Sequence, residues 1–392
     1  MRGHIVKRYK NSYTIVLNLG IDPTTGKRKQ QWISVKGTKK EAEKRLSELL
    51  NQLDTGTFMK PSKIILAEYL ERWLKDYAWS NLAPRTVDGY EHIIGRHIIP
   101  SLGNITLTQL KPEHIQRYYY EKLSDGRCDG KGGLGIRTIR HHHVTLHSAL
   151  QSAVKRGLIS RNPADAIDLP RCQRSEWHTL SEDDINTLLE AAQKTPYYAL
   201  FYLAIFTGMR RSELLALRWC DIDLHLCQAY VNRTLHQLRN GSIVYRPPKS
   251  AKGRRMIALS PSATLVLKEH KEKKETTQAI LEISLNDDDL IFGDPNGKPL
   301  LPNTVTHAWI KLVRRIGLGG VRLHDARHSH ASLMLKAGIH PKIVQERLGH
   351  ASIGITLDTY SHVAPGLQEA AADRFDELVV PRSEKEVIEI FH

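Results

Sequence analysis

The chain has 392 residues, enough for two or three domains, and carries 57 Lys and Arg against 42 Asp and Glu, a formal net charge of +15. Such a basic balance favours a polyanionic partner: DNA, RNA or an anionic membrane surface. The four cysteines are scattered without a C-x-x-C pair, which argues against a disulfide framework or a zinc knuckle. No apolar run approaches the roughly 20 residues of a membrane helix, and the first residues lack the apolar core of a signal peptide. We therefore expect a soluble, cytoplasmic protein without a membrane partner.

Residues 1–57 predict a small β-sheet followed by a helix. Three strands are indicated by short runs of β-branched and aromatic residues, at Ile5–Tyr9, Ser12–Leu17 and Gln30–Val35. Thr38, with Glu41 three residues later, predicts the capped start of a helix that continues to about Leu53.

This segment is also strongly basic. Residues 1–60 hold 13 Lys and Arg against 5 Asp and Glu, so about a sixth of the chain carries +8 of the net charge. A basic sheet with aromatic side chains can enter the major groove of DNA, so we predict a DNA-binding module rather than a solvated hairpin with surface lysines. The predicted DNA-contacting residues are Lys7, Arg8, Lys10, Lys27, Arg28 and Lys29.

Residues 64–170 predict an all-α region of four to five helices. Helices are expected at Leu66–Ala78, from Pro84 to Gly103, at Pro112–Leu123 and from Ile136 onwards. The G-x-G-x-x-G match at Gly130–Gly135 follows a polar stretch rather than an apolar strand, so we interpret it as a basic loop and not a dinucleotide site. His141, His142 and His143 are adjacent, point about 100° apart on a helix, and cannot converge on one metal ion. We expect them on the surface or facing DNA.

Residues 177–375 predict a third, α+β domain, followed by a tail at 376–392. Ser181 is the expected cap of its first helix. Further helices are predicted at Tyr197–Thr207, Gly208–Trp219, Ser262–Ala279, Asn303–Ile316, His324–Ala337 and Pro341–Leu348, with another from about Gly366. Three strands are predicted at Ile222–Thr234, Ser242–Arg246 and Arg255–Leu259, the last two joined by a tight basic turn, Pro247–Arg254. The expected fold is a mainly α multidomain protein with small β-sheets.

The segment Val321–Val363 contains side chains suited to chemistry on a phosphodiester. His324 and Arg327 stand three residues apart, so both lie on one face of a helix. His350 and Tyr360 follow. Arginine binds phosphate oxygens with a planar fork of donors, histidine moves protons near pH 7, and tyrosine can be a covalent nucleophile.

Three sequence boxes give the chain a resemblance to the tyrosine recombinases, in particular the integrases of temperate phages and conjugative transposons. The boxes are Thr207–Leu214 (TGMRRSEL), Leu323–His328 (LHDARH), and Leu348–His350 (LGH) followed by Thr356–Tyr360 (TLDTY). Their order and spacing match the family, and the resemblance covers nearly the whole chain. It implies an arm-site DNA-binding domain at 1–57, a helical, SAM-like core-binding domain at 64–170 and a catalytic integrase domain at 177–375.

The resemblance also implies a mechanism and its residues. Tyr360 would be the nucleophile that forms a 3′-phosphotyrosyl bond, and Glu213 would be a supporting acidic residue. The other catalytic positions implied are Arg210, Lys249, His324, Arg327 and His350. The lysine stays open between Lys249 and Lys252, because the Ile-Pro-Leu strand start of the family reads Ile257-Ala258-Leu259 in this chain. The family reaction implies no ATP, no metal and no other cofactor.

The resemblance implies double-stranded DNA as partner, at core and arm sites, with a homotetramer as the active assembly. An excisionase or a host DNA-bending protein is a further expected partner, and the bacterial cytoplasm is the expected location. Two other functions share parts of this pattern: a type IB topoisomerase, and a catalytically silent DNA-binding accessory protein. The separate basic N-terminal region favours two classes of DNA site over the topoisomerase, and the complete set of catalytic positions argues against the silent protein.

Overall fold

The computed structural model describes residues 3–21, 26, 28–54, 63–172 and 178–360, with residues 372, 375, 376 and 379 beyond them. The chain divides into two compact units, Met1–Gln173 and Arg174–His392. Across the described ranges, no helix is both long enough and apolar enough to cross a membrane.

The N-terminal sheet confirms the predicted strands and helix. Its antiparallel strands, in the order β1-β2-β3, are β1 (Gly3–Tyr9), β2 (Ser12–Ile21) and β3 (Arg28–Lys36), and helix α1 (Lys39–Asp54) follows. Thr38 and Glu41 form a capping box: Thr38 Oγ1 accepts from the Glu41 N–H at 3.4 Å, and the Thr38 N–H donates to Glu41 Oε2 at 2.7 Å. Ile15 and Leu17 pack against Leu49 on one face of the sheet, and the alternation of side chains leaves the other face uncovered by α1.

The rest of the first unit is helical around one hydrophobic core. The helices are α2 (Leu66–Trp73), α3 (Trp79–Asn81), α4 (Pro84–Ile93), α5 (Ile99–Leu102), α6 (Pro112–Asp125) and α7 (Ile136–Lys155). Two π-helical turns, Leu74–Ala78 and Ile94–Ile98, join α2 to α3 and α4 to α5, so each predicted helix continues through its π turn. Trp73, Tyr118 and Tyr119 are among the largest side chains of this core.

The three adjacent histidines on α7 correct the expectation of a surface cluster. His141 is exposed, but His142 is buried, and its Nδ1 lies 2.9 Å from the hydroxyl of Tyr118. His143 is partly buried, and its Nδ1 lies 3.2 Å from the hydroxyl of Tyr119. Two tyrosines of α6 supply polar partners inside the core, which makes burial of an imidazole acceptable. Tertiary packing therefore decided the environment of these side chains.

Over residues 178–360, the second unit contains eight helices and five short strands. The helices are α8 (Glu182–Gln193), α9 (Tyr198–Thr207), α10 (Arg211–Leu214), α11 (Pro261–Ile280), α12 (Pro302–Arg315), α13 (Leu323–Lys336), α14 (Pro341–Leu348) and α15 (Ile353–Tyr360). The strands are β4 (Ile222–Asp223), β5 (Gln228–Val231), β6 (Thr234–Gln237), β7 (Ile243–Arg246) and β8 (Arg255–Ala258). Ser181 caps α8 as predicted, accepting a hydrogen bond from the Asp184 N–H at 3.1 Å. The predicted helix from Gly366 and the tail fall mostly outside the described residues.

The structure corrects three details of the sequence prediction for this unit: a strand, a turn and a helix. The single strand predicted at 222–234 is interrupted, because Asp223 Oδ1 accepts hydrogen bonds from the backbone of His225 and Leu226 and reverses the chain. β8 pairs with β5 in the sheet β4-β5-β8, whereas β7 pairs only with β6. The segment 247–254 is therefore a connection between two sheets and not a tight hairpin turn. The predicted helix Gly208–Trp219 shortens to α10 and a 3₁₀ turn, Trp219–Asp221.

Candidate active site

The turn after α9 positions Arg210. Gly208 follows Thr207, the last residue of α9, in a left-handed conformation with φ of +63°. A Cβ on Gly208 would lie 2.7 Å from Leu348 Cδ2 and 2.8 Å from His330 Cδ2, so both the dihedral angle and the available space require glycine. Arg210 is the N-cap residue of α10, and 38% of its side chain is exposed. The packing of α9, α13 and α14 thus presents a guanidinium at an accessible surface.

Glu213 is a buried carboxylate shared by two arginines. Its side chain is 1% exposed; Oε1 accepts from Arg210 Nη1 at 2.7 Å and Oε2 accepts from Arg255 Nη2 at 2.9 Å. Burial by itself would raise the pKa of Glu213. The hydrogen bonds and charge of Arg255 and the charge of Arg210 act in the opposite direction and are the stronger effect, so the pKa of Glu213 lies below its ordinary value. Glu213 is therefore an anion that orients Arg210.

Arg327 connects the first and third sequence boxes from the interior. Its residue exposure is 3%; Nη1 donates to the Gly208 carbonyl and Nη2 to the Leu348 carbonyl, both at 2.7 Å. These carbonyls lie at the C-terminal ends of α9 and α14, where the helix dipole favours a cation. Gly208 precedes Arg210 by two residues and Leu348 precedes His350 by two, so one guanidinium fixes both neighbouring segments.

Two histidines lie together on the first turns of α13. His324 is exposed, and its ring meets the ring of His328 edge-on, with 4.9 Å between centroids. Partial desolvation and then the charges of Arg327 and Arg210 lower the pKa of His324. His328 is buried, and burial followed by the charge of His324 lowers its pKa to about 4. Both imidazoles are therefore neutral near pH 7, the form that can accept a proton.

His350 follows the left-handed Gly349 at the end of α14 and is buried. Its Nδ1 lies 2.9 Å from the hydroxyl of Thr356, a fully buried residue of α15. The side chain of Gln345 donates to the His350 carbonyl at 2.6 Å and fixes the turn. Burial, then the charges of Arg327 and Arg210, lower the pKa of His350 to about 4. His350 is thus a neutral imidazole held between α14 and α15.

The two candidate lysines lie on the connection between β7 and β8. Both side chains are exposed, and a 3₁₀ turn, Ala251–Gly253, includes Lys252. Lys252 Nζ donates to the carbonyl of Ala351 at 2.8 Å, directly after His350. Lys249 stands earlier on the same connection. The choice between them stays a prediction.

Tyr360 is the last residue of α15, the helix that also supplies Thr356. The backbone of Tyr360 is described, and its side chain falls outside the described part of the structure. Contacts of α15 with α13 and α14 hold the helix beside the segments of Arg327 and His350. The structure thus brings together Arg210, Glu213, His324, Arg327 and His350, and places the helix of Tyr360 against them.

The predicted arm residues belong to the other unit. Lys7, Arg8, Lys10, Arg28 and Lys29 are exposed, and Lys27 lies outside the described residues. The guanidinium of Arg8 lies 5.6 Å from the centroid of the Trp32 ring, which is 52% exposed. Trp32 pairs with Val16, next to the inward-facing Ile15, so Trp32 lies on the face opposite α1.

Several residues at the site were not found from the sequence. Arg255 and Thr356 contact Glu213 and His350 directly, and Arg347 donates to His330 Nε2 at 3.0 Å. Arg255 and Arg347 lie in none of the three sequence boxes, and Thr356 lies in the third box but was given no role there. An apolar strand after the Arg254-Arg255 pair was the only available signal for Arg255.

Comparison with known proteins identifies the family of this fold and site. Residues 178–366 match the phage integrase family, and residues 65–124 match the phage integrase N-terminal SAM-like domain. A tyrosine recombinase XerC-like protein of Caldanaerobacter subterraneus subsp. tengcongensis is 28% identical, over 96% of this chain and 98% of its own. A putative prophage phiRv2 integrase of Mycobacterium tuberculosis is 30% identical, over 76% of this chain and 74% of its own.

Solved structures show the same fold. The Tn1549 transposon integrase in complex with a circular intermediate DNA matches with a TM-score of 0.65 and 19% identity, over 80% of this chain and 99% of that one. A lambda integrase tetramer bound to a Holliday junction matches with a TM-score of 0.56 and 20% identity, over 91% of this chain and 94% of that one. The fold is that of the tyrosine recombinase integrases. The chain belongs to the phage integrase family, and its activity is site-specific DNA recombination.

Proposed function

We propose that this recombinase cuts and rejoins DNA through a covalent bond to Tyr360, and so integrates or excises a mobile element. The phenol oxygen attacks the scissile phosphorus, the bond from phosphorus to the 5′ oxygen breaks, and a 3′-phosphotyrosyl ester and a 5′-hydroxyl result. A 5′-hydroxyl of a second duplex then attacks the phosphotyrosine and restores a DNA phosphodiester. Each step exchanges one phosphoester for another, so the reaction draws no energy from ATP.

The observation that carries this proposal is the position of buried Arg327. It lies three residues after His324 on α13, and it donates to the Gly208 carbonyl, two residues before Arg210, and to the Leu348 carbonyl, two residues before His350. Arg210 and Arg327 would bind the non-bridging oxygens and offset the charge of the transition state. Fixed guanidinium charges serve the role that metal ions have at other phosphoryl-transfer sites, because both stabilise developing negative charge.

The proton transfers follow from the histidines and a lysine. His324 would accept the proton of the Tyr360 phenol, whose unperturbed pKa is about 10, and His350 would donate to a non-bridging oxygen. Lys249 is the proposed acid that protonates the departing 5′ oxygen, with Lys252 as the alternative. Burial and then the neighbouring positive charges lower the pKa of His324 and of His350. A bound phosphate would offset those charges, so DNA binding would raise both pKa values and favour the protonated His350, in which both ring nitrogens donate.

The proposal assigns DNA contacts to all three regions of the chain. Residues 1–57 would bind arm sites through the uncovered sheet face of Arg8 and Trp32, and residues 64–170 would bind core sites. Residues 177–375 would form the catalytic domain and 376–392 a tail. By similarity to the lambda integrase tetramer on a Holliday junction, the active assembly would be a homotetramer on two duplexes. It would act in the bacterial cytoplasm, and an excisionase or a host DNA-bending protein would determine whether it integrates or excises the element.

A nicked duplex that carries the core site tests the chemistry. The short fragment beyond the nick diffuses away after cleavage and traps the covalent protein–DNA adduct. We expect an adduct with the wild-type chain and with the control Tyr230→Phe, and none with Tyr360→Phe. Adduct formation by Tyr360→Phe would overturn the assignment of the nucleophile. Adduct formation together with relaxation of supercoils, but without exchange between two sites, would identify a topoisomerase instead.

A further inference from the structure

Arg255 is a buried arginine at the start of β8 that the proposed chemistry does not use. Its side chain is 6% exposed. Nη2 donates to Glu213 Oε2 at 2.9 Å and Nη1 to Glu213 Oε1 at 3.2 Å, a bidentate pair across the carboxylate. Nε donates to the carbonyl of Arg347 at 2.6 Å, and Nη1 also donates to the carbonyl of Gly253 at 3.1 Å. Four of the five N–H donors of Arg255 therefore bond to protein acceptors.

The carboxylate that Arg255 binds is the one that orients Arg210. Each oxygen of Glu213 accepts one bond from Arg255 and one from Arg210, at Oε1 from the Arg210 guanidinium and at Oε2 from its backbone N–H. Arg255 therefore balances the charge of Glu213 from the interior. Without that balance, Arg210 would be the one arginine left of the two that bind the buried anion in the described part of the chain, and its guanidinium would be drawn inward, away from a phosphate.

The same side chain holds two other parts of the site in register. The Arg347 carbonyl lies three residues before His350, and Gly253 follows Lys252 directly. Lys252 Nζ in turn donates to the carbonyl of Ala351, directly after His350. Arg255 therefore contacts both the connection between β7 and β8, which carries the two lysines, and the end of α14 next to His350. Gly349 makes this approach possible, because a Cβ at its φ of +67° would lie 3.0 Å from Arg255 Nη1.

We propose that Arg255 is a positioning residue for strand cleavage: by sharing Glu213 it leaves the charge of Arg210 available to the scissile phosphate, and it fixes the lysine connection against His350. This inference rests on the proposed function of Arg210 and His350. It predicts that Arg255 acts on the chemical step and not on DNA affinity.

The test measures single-turnover adduct formation on the nicked core duplex, with DNA affinity and thermal stability measured in parallel. Arg255→Met should slow cleavage about a hundredfold, and Arg255→Lys, which keeps the charge but loses the bidentate geometry, about tenfold. The dissociation constant for DNA should stay within about threefold in both. Arg218→Lys is the control for Arg255→Lys, because Arg218 also binds both oxygens of a carboxylate, that of Asp221, outside the site, and it should cleave at the wild-type rate.

A double variant separates charge balance from simple support of the fold. Glu213→Gln removes the anion that Arg255 balances, so Arg255→Met should cost no more than about threefold further in that background. If the fold loss in cleavage rate of the double variant equals the product of the two single-variant losses, Arg255 does not act by balancing the charge of Glu213. A wild-type cleavage rate for Arg255→Met would overturn the proposal as well. If Arg255→Met does not fold, a wild-type cleavage rate for Arg255→Lys still refutes the proposal. Failure of the wild-type chain to form an adduct refutes the proposed function itself, which is a distinct result.

Discussion

The hydroxyl of Thr356 supports His350 from the helix that carries Tyr360, and its removal should slow strand cleavage. Thr356 is fully buried, and its Oγ1 lies 2.9 Å from Nδ1 of a buried imidazole. Thr356→Val keeps the shape of the side chain and removes only the hydroxyl. Loss of a hydrogen-bond partner by a buried polar atom costs about 1–3 kcal/mol. His350 would then be free to rotate away from the position in which it can donate to phosphate.

The expected rate follows from that cost. Since about 1.4 kcal/mol corresponds to a tenfold change, a transition-state loss of about 1–3 kcal/mol slows cleavage roughly five- to 150-fold. The assay is single-turnover adduct formation at saturating protein, which separates the rate from DNA affinity. Thr356→Ser retains the hydroxyl and should stay within about threefold of wild type. If Thr356→Val cleaves as fast as Thr356→Ser, the contact does not position His350 and the reasoning is refuted.

Three further predictions address the fold, the open lysine assignment and pH. Gly208→Ala should lower the free energy of unfolding by more than about 2 kcal/mol in urea titrations, because strain at positive φ adds to the overlap with Leu348. Replacement of the general-acid lysine by alanine should slow cleavage of ordinary DNA, because the departing 5′ oxygen needs a proton. A duplex with sulfur at the 5′-bridging position releases a thiolate that needs none, so it should restore cleavage to the variant, Lys249→Ala or Lys252→Ala, that has lost the general acid. Burial, then the charge of neighbouring cations, lowers the pKa of His142 to about 4. In the unfolded chain a histidine has a pKa of about 6.5, so His142 binds a proton more tightly there than in the folded protein. The free energy of unfolding should therefore fall by roughly 1–2 kcal/mol between about pH 7 and 5, and His142→Gln should reduce that loss.

Each of these has a control and a contradicting result. Gly241→Ala has a φ of +86° but no heavy atom within 4 Å, so it should cost only about 1 kcal/mol, and equal costs would contradict the steric argument. Sulfur that rescues neither lysine variant would exclude both lysines as the acid. An unchanged pH slope in His142→Gln, measured as urea midpoints at the two pH values, would show that His142 is not neutral in the folded state.

The sequence was informative wherever a signal is local. The Thr38–Glu41 and Ser181–Asp184 caps are confirmed, because a cap needs only residues three apart. Helix periodicity likewise predicted α9 and α11 to α14 within a few residues. The tight turn predicted at Pro247–Arg254 was wrong, because strand pairing depends on which distant segment supplies the hydrogen bonds, and β8 pairs with β5. The single strand predicted at Ile222–Thr234 was also wrong, because the chain reversal at Asp223 was not recognised.

The sequence by itself determined the identity and order of the residues that could act on a phosphodiester, and the family to which they point. The tertiary structure alone decided how they are held. Arg327 reaches a carbonyl 119 residues away, and Arg255 reaches Glu213 and Arg347 across 42 and 92 residues. Such bonds leave no periodic pattern in the chain, because a backbone carbonyl exists at every residue and a buried arginine looks the same in sequence as an exposed one. Only the packing of α9, α13 and α14 selects which carbonyls and which arginines meet, and so turns a set of suitable side chains into one site.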